Sequence, residues 1–226
     1  MTANVADNLK SVLNLIPKTV QLVAVSKYHT AEDIAAAYQC GQRIFGESHV
    51  QELEKKQATL PKDIIWHFIG HLQTNKVKYI APYINLIETV DSFKLLKEIN
   101  KQALKNNRII DVLLELHIAQ EETKYGFTID ACRKMLTEED WKSLKNIRIC
   151  GLMMMASHVD NQDQIEQEFM TAANFFDELK EGIFAHDANF CKRSWGMSHD
   201  YKIAVKCKSN MVRIGTAIFG PANLSI

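Results

Sequence analysis

The chain has 226 residues, 46% of them hydrophobic, which is enough for one substantial core, and its 27 basic and 27 acidic side chains cancel. That balance removes any whole-chain electrostatic case for nucleic acid or an anionic membrane surface, so an anion has to be bound locally. The five cysteines, at 40, 132, 150, 191 and 207, are odd in number, widely spaced and free of a CxxC pair, which argues against a disulfide framework and a structural zinc site.

Residues 1–10 lack the basic start and apolar stretch of a signal peptide, and no segment approaches the length of a membrane span, so a cytoplasmic protein is expected. A helix is expected over residues 5–16. The run Leu22-Val23-Ala24-Val25 is continuously apolar, where a half-exposed strand would alternate, and it predicts a buried parallel strand over 20–25. Further strands are predicted over 43–46, 64–68, 86–89, 109–116, 148–152 and 211–214, with a weak seventh ending near 194–197 in a poorly patterned seam. Helical patterns alternate with them over 31–40, 50–58, 73–80, 92–106, 129–135, 163–179 and 199–206. In one of these, Phe93, Leu96, Ile99 and Ala103 form an apolar stripe that only Lys97 breaks. Eight strand–helix units in this length predict an α/β fold, a single (β/α)8 TIM barrel over residues 1–226 with an extra N-terminal helix. A doubly wound open sheet is the competing architecture.

Lys27 follows the first strand directly. A charged lysine where a core strand gives way to a loop has two readings. It can point to solvent, the reading favoured from the strand alone, or its amine can form a Schiff base with an aldehyde cofactor. In a barrel the functional face lies at the C-terminal ends of the strands, and phosphate sites favour the loops after strands seven and eight. Those loops bring together Ser194-Trp195-Gly196-Met197-Ser198-His199-Asp200 and Val212-Arg213-Ile214-Gly215-Thr216. Ser198, Gly215 and Thr216 offer hydroxyl and backbone donors to an anion, although each segment alone reads more readily as a plain helix cap. Arg213 lies two residues before Gly215, so on an extended strand both face the barrel mouth. A reactive lysine, a phosphate cradle and an arginine for a ring nitrogen are the parts a protein supplies to pyridoxal phosphate.

At these residues the chain resembles a known family. Ser26-Lys27, Phe45-Gly46-Glu47 with Gln51-Glu52, Trp66-His67-Phe68-Ile69-Gly70 with Leu72-Gln73 and Asn75-Lys76, Val90-Asp91-Ser92, Gly151-Leu152-Met153, Gly196-Met197-Ser198 with Asp200, and the segment 212–220 resemble the motifs of the pyridoxal phosphate homeostasis proteins. That family shares the barrel of the alanine racemase N-terminal domain. The resemblance implies that Lys27 carries pyridoxal 5′-phosphate as a Schiff base, that Ser198, Gly215 and Thr216 hold the phosphate, and that Arg213 faces the pyridine nitrogen. The chain also departs from the family. Ser48, in Gly46-Glu47-Ser48-His49, replaces an asparagine expected near the cofactor, and the contacts there change. His117 replaces an asparagine, Glu88-Thr89 stand where a His or Ser is usual, Lys208-Ser209-Asn210 replace Gly-Ser-Thr, and a proline is missing from Met154-Met155-Ala156.

His67 and His71 have a metal-pair spacing only if helical; the stretch reads as strand and loop, with structural or cofactor-proximal roles. Met153-Met154-Met155 reads as core and pocket lining, with His158 and Asp160 in a loop above the mouth. The segment 121–126 reads as a solvated loop from which Lys124 and Tyr125 can approach a ligand. Lys55-Lys56, and Lys206 with Lys208, read as charges on exposed helix faces.

The function the resemblance implies is storage or delivery of the cofactor to apo-enzymes, as monomer or dimer, without strong catalysis. In alanine racemase a second domain adds an acid/base group, and here only residues 221–226 follow the last motif. The alternatives are a single-domain racemase using Lys27 with Tyr28, Tyr125 or His49, and a barrel without cofactor that acts as an interaction protein.

Overall fold

The computed structural model describes residues 4–118 and 125–222. Helix α1 (Val5–Leu15) starts where the Asn4 side chain accepts the Asp7 N–H and turns Val5, Leu9 and Val12 inward. Eight strands follow among the described residues: β1 (Gln21–Val25), β2 (Ile44–Glu47), β3 (Ile65–Phe68), β4 (Leu86–Val90), β5 (Ile110–Leu116), β6 (Ile147–Met154), β7 (Lys192–Ser194) and β8 (Met211–Ile214). All pair in parallel in chain order, and β8 returns to β1 with Val23 opposite Arg213, which closes the barrel and excludes the open sheet. The helices between them are α2 (Ala31–Gln39), α3 (Val50–Thr59), α4 (Val77–Ile80), α5 (Phe93–Lys105), α6 (Ile129–Glu138), α7 (Gln162–Glu181) and α8 (Tyr201–Lys206), and a short α9 (Thr216–Phe219) follows β8.

The apolar core is in two parts. The larger lies between strands and helices, and the smaller lies inside the barrel, built from Val23, Leu86, Leu113, Cys150, Met153 and Met211. The five cysteines are free thiols.

Where sequence and structure differ, local causes are visible. The segment 73–80 is a 3-10 turn (Thr74–Lys76) running into one turn of α4, and Gln73 makes no side-chain cap at its start. Helix α8 begins at Tyr201 because the Asp200 carboxylate accepts the Met197 N–H at 2.5 Å and holds His199 and Asp200 in a turn. Strand β6 runs two residues past the expected end. Its register with β5 steps from Val112–Ile149 to Leu113–Gly151, a bulge that skips Cys150. The bulge re-aims the side chains, so Cys150 and Met153, three apart, both enter the inner core.

Gly151 is what allows that bulge. Its φ is +152°, and a Cβ there would meet the Lys192 carbonyl oxygen of β7 at 1.8 Å. Gly151→Ala is therefore expected to pry β7 from β6 and destabilise the protein by about 2 kcal/mol or more, read as a lowered urea midpoint at unchanged slope.

Candidate functional site

Lys27, Ser198, Arg213, Gly215 and Thr216 line one pocket of about 310 Å³ with Val25, Ile69, Met155, Met197, His158 and His199. Each of these residues comes from the end of a strand, from the loop after it or, for Thr216, from the first residue of α9, which places the pocket at the C-terminal mouth of the barrel. Ser48 is not among the lining residues. It packs on Gly70, where a Cβ would meet the Ser48 carbonyl oxygen at 2.4 Å, and its hydroxyl contacts the His49 ring at 3.1 Å. Tyr28 and His49 contact each other at 3.4 Å and also stand outside the lining. Tyr125 stacks on His71 at 3.7 Å, while Lys124 and the rest of 119–124 lie outside the described residues.

Arg213 is the buried charge of the site, 3% exposed. Its Nη1 donates to the Ser194 carbonyl at 2.7 Å and hydroxyl at 2.6 Å, and its Nη2 donates to the Met154 carbonyl at 2.9 Å. The Ser194 hydroxyl donates onward to Glu88 Oε2 at 2.5 Å, and Glu88 Oε1 is hydrogen-bonded to His67 Nδ1 at 2.7 Å. Burial pushes the Glu88 carboxyl up, but the hydrogen bond and charge of His67 and the charge of Arg213 outweigh it and hold Glu88 below its ordinary value. Burial lowers Arg213, against the opposing pull of Glu88, Asp200 and Glu115. Glu88, unremarkable within an apolar strand, is thus the counter-charge of the site, and His67 takes the structural role expected of it. Among the described residues no group of three or more His, Cys, Asp or Glu has metal-binding geometry.

Lys27 sits on an exposed loop, and its neighbours are braced from below. Lys56 Nζ donates to the Ser26 carbonyl at 2.7 Å, Glu47 Oε1 at 2.7 Å and Glu52 Oε1 at 2.6 Å. The Ser26 hydroxyl also reaches Glu47 at 2.6 Å, and the Tyr28 N–H donates to Glu52 at 2.7 Å. Lys56 is 6% exposed, so the expectation of an exposed charge is corrected. Its stem crosses the core side of α3 because two carboxylates and a carbonyl wait there; Lys55, next to it, is exposed as expected. Burial pushes Glu47 up to about 7 against the lowering effect of Lys56.

The cradle opposite Lys27 is small by necessity. At Gly215 a Cβ would press on Val25, with its carbonyl oxygen at 3.0 Å and its Cβ at 3.2 Å, so the turn into α9 lies close against β1. The Ile218 and Phe219 amides turn back to the Gly215 carbonyl, while the Thr216 and Ala217 amides open the turn and have no acceptor within it. With the Ser198 hydroxyl, this arrangement supplies neutral donors to an anion on one side of the pocket, a lysine amine on another and a fixed guanidinium at its floor. The donor set fits a phosphorylated aldehyde with a ring nitrogen.

Residues 2–223 match the family described as alanine racemase, N-terminal domain. The chain is 36% identical over 228 residues to the pyridoxal phosphate homeostasis protein of Aquifex aeolicus, an alignment covering 96% of this chain and 98% of that one. PipY of Synechococcus elongatus, solved without PLP, superposes with a TM-score of 0.89 at 33% identity, covering 96% of this chain and 100% of that chain. The same protein with PLP bound gives a TM-score of 0.85 at 33% identity and the same coverage.

Two measurements follow from the buried charges. Lys56→Met strands Glu47 and Glu52, and at pH 8 it is expected to cost about 3–5 kcal/mol in urea unfolding. Glu115, 3% exposed with one carboxylate oxygen unpartnered, is pushed up to about 7 by burial and by Asp91, against the lowering effect of Arg213. Because its folded value is raised, the stability it contributes is full below the unfolded value of about 4.5 and is lost as pH rises through about 7. Glu115→Gln should flatten the fall of wild-type stability between pH 5 and 8 by up to about 3 kcal/mol.

Proposed function

Because the chain belongs to the pyridoxal phosphate homeostasis protein family, we propose that it binds pyridoxal 5′-phosphate at the barrel mouth and stores or delivers it, without strong catalysis of its own. The observation that carries this reading is the convergence of Lys27, Arg213 and the Ser198–Gly215–Thr216 cradle on one pocket. In it Lys27 would be the covalent anchor, its amine holding the cofactor through the aldehyde. Ser198, Gly215 and Thr216 hold the phosphate through hydroxyl and backbone donors. Ser48, where the family carries an asparagine, supports the wall behind the ring. Arg213 faces the pyridine nitrogen.

When bound, the cofactor supplies an electron-withdrawing ring. Arg213 limits that power, since a permanently protonated guanidinium beside the nitrogen disfavours its protonation. The network of Ser194, Met154 and Glu88 keeps the guanidinium from turning away. A weak electron sink suits a carrier better than an enzyme that accumulates carbanions. The working form we propose is one barrel domain over residues 1–226, in the cytoplasm, passing the cofactor to apo-enzymes. No helix among the described residues is long and apolar enough to cross a membrane.

Incubation with pyridoxal phosphate is expected to give a visible absorption band, and borohydride reduction followed by peptide mass mapping a single adduct on Lys27. Lys27→Ala should lose both. A wild-type protein without an adduct at Lys27 would refute the assignment, and amino-acid racemisation abolished by Lys27→Ala would replace the carrier with an enzyme.

A further inference from the structure

Two histidines line the pocket beside the cradle, and one of them, His199, lies in the same segment as Ser198. His158 follows β6 and His199 precedes α8; both line the pocket with Ser198, Gly215 and Thr216, and their rings meet edge to face with centroids 5.1 Å apart. They are not core histidines, since His158 is exposed and His199 is 38% exposed. They are not a metal pair either, because no third ligand joins them among the described residues.

A buried carboxylate lies near each histidine. Glu168 on α7 accepts the N–H and the hydroxyl of Ser157, both at 2.7 Å, and so fixes the backbone that presents His158. Asp200, 1% exposed, lies 3.2 Å from His199 Nε2 through Oδ2 while Oδ1 holds the Met197 amide. The loop of His158 is thus anchored through its backbone, and His199 has a buried carboxylate within ion-pair distance.

We propose that His158 and His199 form a proton-linked clamp on the phosphate monoester of the bound ligand, added to the neutral donors of the cradle. The proposal rests on the reading of the pocket given above and extends it to the control of affinity. Among the described residues the charged groups around the pair include Lys27 from the β1 loop and Arg213 from β8, with Asp200 ahead of α8 and Glu168 on α7. The Arg213 guanidinium stays charged at every pH of interest, whereas imidazole is the side chain whose ordinary charge change falls between pH 5 and 8. A phosphate monoester has its second ionisation near 6, so above that pH it stays largely dianionic. Protonating the imidazoles then converts them into charge-assisted donors to the same oxygens. The clamp tightens as pH falls toward 6.5 and relaxes as pH rises, which makes retention of a phosphorylated ligand sensitive to pH in the neutral range.

The test compares affinities for pyridoxal phosphate and for 5′-deoxypyridoxal, which keeps the aldehyde and ring but has no phosphate and cannot close to a hemiacetal, so the pH dependence of imine formation is closely shared and largely cancels in the ratio. Between pH 8.5 and 6.5 the wild-type ratio is expected to rise about tenfold, His158→Asn and His199→Asn each to hold the rise to about threefold, and the double variant to abolish it. A flat wild-type ratio, or a rise that survives in the double variant, overturns the clamp while leaving the cofactor assignment standing. A wild-type protein that takes up neither compound overturns the cofactor assignment instead. The clamp is then decided with inorganic phosphate at pH 6.5: displaced imidazole C–H NMR signals of both histidines support it, and unmoved signals refute it.

Discussion

A guanidinium with only 3% of its surface exposed remains charged inside a barrel only if its donors meet acceptors and a counter-charge lies near. Arg213 satisfies both conditions with groups from three other strands: Glu88 on β4, the Met154 carbonyl on β6 and Ser194 on β7. Each contact depends on which side chains point inward, and a one-residue slip of any strand would turn them outward. The network therefore pins the register of the barrel where its pairing is weakest. Strand β7 has three residues and a single recorded pairing with β8, Ser194 with Met211, and the contacts of Ser194 with Arg213 and Glu88 supplement that ladder.

The same constraint shapes the pocket. Its floor is rigid because moving Arg213 would expose Glu88 and Ser194 as unpaired polar groups in a low-dielectric interior. Its other side is organised differently. The lysine at position 27 lies on an exposed loop, and the buried charges sit one layer below, where Lys56, Glu47 and Glu52 tie down the flanking Ser26 and Tyr28. A held backbone beneath an exposed lysine fits the covalent role proposed for Lys27. A fixed cation at the floor fits the role proposed for Arg213, setting the electronic state of the bound ring.

Much of this architecture was legible one segment at a time. The continuous apolar runs of β1 and β5 and the three-and-four spacing of the helices are local patterns, so the alternation that defines the barrel could be read directly. Lys27, Arg213, Ser198, Gly215 and Thr216 were also legible, because each lies at the end of a recognisable strand or at a glycine-bearing turn. The seventh strand was marginal. Its three residues, Lys192-Arg193-Ser194, have no apolar pattern, and what makes them a strand is pairing with β6. The extension of β6 was invisible for a related reason: the bulge at Cys150 and Gly151 changes which residues face inward, and periodicity assumes that nothing does.

By itself, then, the sequence determined the element order, the candidate residues at the strand ends and the neutral charge that confines anion binding to a local site, because these depend on composition and short-range spacing. Only the tertiary structure decided which polar residues become buried partners. Lys55 and Lys56 are adjacent on one helix, and Lys56 is the one drawn inward because Glu47, on a different element, lies beneath it. Glu88 and Ser194 are separated by 106 positions and meet because the barrel closes. The energy of a buried charge is set by what surrounds it in space, and neighbours that distant along the chain leave no local pattern to read.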